Sequence, residues 1–144
     1  MLTIMSRLKF VLFSVLMVLC ISSCNARKNN TRLVKEIELE VEKMGKQCPI
    51  SFGLGNDVVL RKIFFEDNTL AYCYSVADIR DEMKDNEENI KMSMLYMAKS
   101  DASFMNLCRK LIDVGGKLVY TYQASTGKSF SLEFSNKELK EFFD

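Results

Sequence analysis

The chain has 144 residues, with 20 lysines and arginines against 19 aspartates and glutamates, and neither histidine nor tryptophan. Balanced charge gives no electrostatic case for binding nucleic acid, which needs a clustered basic face. Without histidine the commonest general base and the commonest ligand of zinc and copper are missing, so catalytic triads and ordinary metalloenzyme sites are nearly excluded, and neither a metal nor another cofactor is expected.

At the N-terminus Arg7 and Lys9 precede an uncharged, mostly apolar run from Phe10 to Ile21, the order of a secretory signal. These twelve residues cover roughly 18 Å at about 1.5 Å each, short of the roughly 30 Å that a spanning helix must cross. Ile21, Ser22, Ser23 and Cys24 then read as aliphatic, small, small, cysteine. This resembles the lipobox of bacterial lipoproteins. The resemblance implies that residues 1–23 are a signal peptide, that Cys24 becomes the acylated first residue holding the protein to a lipid bilayer, and that residues 24–30 are a tether. Several acyl chains anchor firmly, since each buried methylene contributes about 0.8 kcal/mol and one chain alone is marginal. Arg27 and Lys28 make the stretch after Cys24 basic where some outer-surface lipoproteins are acidic, so the resemblance favours an outer-membrane location facing the periplasm. The competing reading is cleavage after Cys24-Asn25-Ala26, also a small-x-small pattern, which leaves a soluble secreted protein. In either case Cys20 is lost with the signal.

Removing residues 1–23, which hold two of the cations and none of the acids, leaves a net charge of minus one. About 120 residues then remain, enough for one core, and residues 31–144 are expected to form a single domain. Besides Cys24 the mature chain keeps Cys48, Cys73 and Cys108. An envelope compartment permits disulfides. A bridge from Cys48 to Cys108 would close a loop of about 60 residues, worth on the order of 4 kcal/mol. Cys73, flanked by Tyr72 and Tyr74, reads as an inert buried thiol.

From Thr31 to about Lys46, Leu33, Val34, Ile37, Val41 and Met44 recur at helical spacing, with Glu36, Glu38, Glu40 and Glu42 between them. Thr31 is expected to cap this helix and Gly45 to supply the left-handed residue past its end. Cys48-Pro49 stops it, and ISFGLGNDV follows as a loop or a bent edge strand. Val58 to Phe65 reads as a strand, Glu66-Asp67-Asn68 as a turn, and Thr69 to Val76 as the returning strand, with Leu70, Tyr72, Tyr74 and Val76 on one face. A helix from about Asp78 to Lys99 places Met83, Ile90, Met94 and Met97 on one stripe. Ser100-Asp101 is positioned to cap a second helix, ended by Gly115-Gly116, that bears Phe104, Leu107, Cys108, Leu111 and Ile112. A second hairpin pairs Lys117 to Gln123 with Ser129 to Phe134 around Gly127, and Ser135 with Glu138 forms a capping box before Leu139, Phe142 and Phe143. LAYCYS and LVYTYQ echo each other across the two hairpins, a pattern that half-buried strands also produce without duplication.

Several motifs weaken on inspection. YQASTGKS ends like a phosphate loop but lacks the upstream glycine and opens a strand rather than a helix. Gly53 and Gly55 have no third glycine and no following helix. Met94 and Met97 have the spacing of a copper(I) pair, yet the core needs Met94. Tyr72, Tyr74, Tyr120 and Tyr122 are left as a possible binding surface, to be buried or exposed according to which sheet face the helices cover.

The expected architecture is α+β, an antiparallel sheet of about four strands in two hairpins packed on helices, in the order α-β-β-α-α-β-β-α. The layout resembles small envelope lipoproteins of Gram-negative bacteria, especially the Bacteroides group, and this likeness carries no activity with it. The expected function is a non-enzymatic, membrane-anchored binding or accessory module with a protein partner in the envelope. The alternative is an inhibitor or immunity protein against a secreted enzyme or toxin.

Overall fold

The computed structural model of the protein describes residues 27–53, 55 and 57–144. The lipobox, Cys24 and the cleavage site lie outside these residues. Helix α1 covers residues 27–45. The chain divides into two compact units at Arg32/Leu33. In the first, residues 27–32 are helical and the Thr31 hydroxyl donates to the Arg27 carbonyl at 3.0 Å, so Thr31 lies inside a helix instead of capping one. The second unit, Leu33–Asp144, holds the whole sheet. No helix among the described residues is long and apolar enough to cross a membrane.

The sheet has five strands in sequential order: β1 (Ile50–Phe52), β2 (Val58–Glu66), β3 (Thr69–Val76), β4 (Lys117–Ala124) and β5 (Ser129–Phe134). Two features depart from the expected four-stranded antiparallel sheet. The glycine-bearing stretch contributes the short edge strand β1, and the two hairpins meet through a parallel pair, β3 with β4. The helical crossover α2 (Glu82–Asp85), α3 (Glu87–Ala98) and α4 (Ala102–Asp113) makes this possible, because parallel strands need a long return and an intervening helix supplies it. Helix α5 (Asn136–Phe143) ends the chain. Asn86 divides the expected long helix into α2 and α3.

Local chemistry sets these elements. The β2–β3 turn is Asp67-Asn68, at φ 49° and 55°, the left-handed pair that matches strand twist in a two-residue hairpin. A bulge between Leu60 and Lys62 re-phases β2, and without it Ile63 and Phe65 would face solvent. The Asp101 side chain accepts the Phe104 N–H at 3.0 Å to cap α4, and Ser135 and Glu138 form a full capping box on α5. Gly45 is the last helical residue of α1 and does not take a positive φ.

The core lies on one sheet face. Leu60, Ile63, Leu70, Leu118, Leu132 and Phe134 pack there against Ile37 and Val41 of α1, Leu107 and Leu111 of α4, and Leu139 of α5. On α3 the buried positions are Lys91, Leu95 and Ala98; of the stripe read from spacing, Met83, Ile90 and Met94 pack half-buried against the core, while Met97 is 73% exposed.

Candidate functional site

Strands β3 and β4 run parallel in a register that sets the echoed segments like on like: Leu70 beside Leu118, Tyr72 beside Tyr120, Tyr74 beside Tyr122. Neighbouring strands lie about 4.8 Å apart, so identical rings stack. Tyr72 stacks on Tyr120 and Tyr74 on Tyr122, each with centroids 5.1 Å apart, and Tyr74 and Tyr120 stack at 6.2 Å. Phe52 of β1 and Phe130 of β5 extend the row to both edges.

This row is on the helix-covered face, and the cover is incomplete. Tyr72 is buried, but Tyr74, Tyr120 and Tyr122 are half-buried. Burial, reinforced by neighbouring Tyr122 and Cys48, pushes the Tyr74 phenol up to about 12. Burial raises Tyr72, Tyr120 and Tyr122 as well. All four are neutral at physiological pH, so they offer ring faces and hydroxyls, not charge.

At the Tyr72–Tyr74 end a groove of about 570 Å³ is lined by residues of α1 and α4. Its floor is Leu60, Ile63, Tyr72 and Tyr74, with Ile50 and Phe52 at the sheet edge; Met44 and Phe104 form apolar parts of opposite walls. Phe52 is 46% exposed at the mouth. The groove's carboxylates are engaged. Glu40 is paired with Lys110, which also reaches Glu36 at 3.5 Å and so ties α1 to α4 beside the groove. Asp101 is occupied as the α4 cap. The Glu40 contact raises the Lys110 ammonium, which keeps its charge. What is left is an apolar, aromatic trough with a polar rim that includes Lys43 and Gln47, a surface for holding a ligand by shape.

Cys48, Cys73 and Cys108 are free thiols in this structure. Cys108 is fully buried, and burial pushes its thiol up to about 12. The Cys48 thiol faces the Met44 carbonyl at 3.9 Å. Cys73 lies between Tyr72 and Tyr74 and hence on the opposite sheet face. Met94 is half-buried while Met97 is exposed, so the helical pair is not gathered in a pocket. Among the described residues no group of three or more metal-ligating side chains is assembled.

No family model and no curated protein matches the sequence. Solved structures do match in three dimensions. A protein of Pseudomonas aeruginosa described as secreted superimposes with a TM-score of 0.60 at 17% identity, over 77% of this chain and 96% of that one. The pilotin EpsS of the Vibrio vulnificus type 2 secretion system gives 0.56 at 11% identity, and the type II secretion system pilotin AspS of Vibrio cholerae gives 0.52 at 11%, each over 78% of this chain and 96% of the other. The likeness is one of fold.

Sequence reasoning missed the groove walls. Phe52 sits in a stretch whose glycines read as turn chemistry, and Phe104 was assigned to the core stripe of α4, where it is only half-buried. The one available signal was the aromatic in ISFG next to a strand-forming pair, too short to separate an edge strand from a loop.

Proposed function

We propose that the protein is a lipid-tethered, non-enzymatic accessory component of the cell envelope, in the manner of a pilotin of a secretion system, and that it holds an apolar segment of a protein partner in the groove between α1 and α4. The observation that carries the reading is the groove itself: a trough floored by stacked tyrosines, rimmed by an exposed Phe52, with its carboxylates already engaged by Lys110 and by the α4 N-terminus. Such a site binds by shape and apolar contact, with nothing poised for proton transfer or nucleophilic attack. The fold shared with two pilotins and the lipobox-like Ile21–Cys24 support the envelope setting.

Placing a photo-crosslinking amino acid at Phe52, with a control at Ser131 on the other sheet face, tests this in cells. One envelope protein should crosslink from position 52 and not from 131, and Tyr74→Ala should abolish the adduct. Equal labelling from both positions, or none from position 52, would refute groove binding. Independently, Cys24→Ala should release the protein from membranes; a variant that still fractionates with them overturns the anchor.

A further inference from the structure

One face of α3 is left uncovered. Glu88, Met92, Tyr96 and the C-cap residue Lys99 follow one another at helical spacing, so they form a single stripe, and all of them are exposed. Met92 is 42% exposed and Tyr96 63%, a large fraction for apolar and aromatic side chains. Phe142 of α5 borders the stripe: its ring meets Tyr96 edge-on with centroids 5.3 Å apart, and the Lys99 nitrogen lies 4.3 Å from it. Beside Met92 is a cleft of about 250 Å³, with Leu95 and Phe142 on its apolar side.

Four charged residues line that cleft: Glu88, Lys91, Glu138 and Glu141. Lys91 is bound to Glu138, and Glu141 reaches Lys137 at 3.8 Å. Glu88 has no ion pair among the described residues, and neither has Lys99 at the far end of the stripe, about three turns away.

The order along the stripe is acid, apolar, aromatic, cation, which is its own complement once a copy is turned end for end. A two-fold interface repeats every contact in reciprocal form. With two α3 helices antiparallel and the axis level with Ser93–Met94, Glu88 faces Lys99 of the second copy and Met92 faces its Tyr96. The charged pairs and the apolar pairs share this one centre, so a single register satisfies both. Antiparallel helices also set their dipoles in opposition. Tyrosine and methionine are enriched where interfaces are driest, and the incoming Tyr96 arrives beside the cleft at Met92. The geometry points to this face of α3 as the contact between two copies of the chain. The patch is small, so the dimer is a weak one, of about micromolar affinity. It shares no residue with the tyrosine-floored groove.

Sedimentation velocity of the purified full chain, from about 1 to 200 µM, tests the inference. A reversible monomer–dimer equilibrium is expected. Lys99→Glu and Glu88→Lys each set like charges together at both ends of the contact and should weaken dimerisation at least about tenfold. The double variant restores opposite charges with the sense reversed and should return to within about threefold of wild type. Because it also lacks the Lys99–Phe142 contact, its recovery reports the pairing between copies alone. A photo-crosslinking amino acid in place of Tyr96, in a mixture of isotope-labelled and unlabelled chains, should join to the Met92 segment of the other copy. A chain that stays monomeric over this range, a dimer that ignores Lys99→Glu, a double variant as weak as the singles, or a crosslink elsewhere would each overturn the inference.

Discussion

Glu138 has two roles where α3 meets α5. Its carboxylate accepts from the Lys91 ammonium at 2.5 Å and from the Ser135 N–H at 2.7 Å, while Lys91 is 7% exposed with its nitrogen 5.1 Å from the Phe134 ring. Glu138→Ala leaves that ammonium buried and unpaired. A fully buried pair broken in this way costs about 3–5 kcal/mol. Because the Glu138 side chain is 41% exposed, water screens the loss to about 1–2 kcal/mol. Loss of the capping box adds about 1 kcal/mol. The sum, about 2–3 kcal/mol, corresponds to a fall in Tm of roughly 10 °C for a domain of this size. Lys91→Met should behave differently. It removes the desolvated charge, leaves Glu138 in reach of water with its cap intact, and should stay within about 1 kcal/mol of wild type in either direction. Urea unfolding followed by circular dichroism, with m compared across variants, measures both. Burial pushes the Glu138 carboxyl up, but the Lys91 and Ser135 hydrogen bonds outweigh this and hold it below the usual carboxylate range. Its contribution is therefore complete above that range and lost as pH falls through the lowered value, so the Glu138→Ala penalty should shrink below about pH 4. Equal destabilisation by Lys91→Met, or a Glu138→Ala cost under about 0.5 kcal/mol near neutral pH, would refute the reasoning.

Two glycines should respond oppositely to alanine. At Gly116 a Cβ meets the Asn68 carbonyl oxygen at 2.7 Å and Leu111 at 2.4 Å, so Gly116→Ala should cost at least about 2 kcal/mol in thermal or urea unfolding; Gly45→Ala, with 3.5 Å of room in a helix, should be neutral or stabilise by up to about 1 kcal/mol. Absorbance near 295 nm should show the tyrosine row ionising above the ordinary value of about 10, and because the folded values are raised, stability should fall as pH rises past that point. Asn136 donates to the Ile112 and Gly116 carbonyls at 3.1 and 3.0 Å, so Asn136→Ala should lose about 1–2 kcal/mol and loosen α5, seen as faster amide exchange in Asn136–Phe143.

Much of the fold was legible because local signals agreed with the global arrangement. Strand pairs with two-residue periodicity, Asp67-Asn68, Asp101 and the Ser135–Glu138 box each mark a boundary through chemistry confined to a few neighbouring residues. What was illegible is non-local. Nothing within LAYCYS or LVYTYQ says that the two segments lie side by side, since their pairing depends on the crossover between them. The inner face of α3 was only partly legible because Lys91, a charged residue, takes an inner position that Glu138 makes tolerable from another helix. Likewise the alternation of acids along α1 does not show that Glu36 and Glu40 pair with Lys110 of α4.

The parallel pair in the middle of the sheet governs how the molecule can be assembled. Thr69 has to find Lys117, and the intervening chain must be closed into α2, α3 and α4 before that ladder contributes anything. Such a topology has high contact order, and an isolated two-stranded hairpin is marginal in water. Neither half should therefore survive alone as a folded fragment. Two polypeptides cut within the crossover should regain structure only by complementation, with a rate that depends on their concentration.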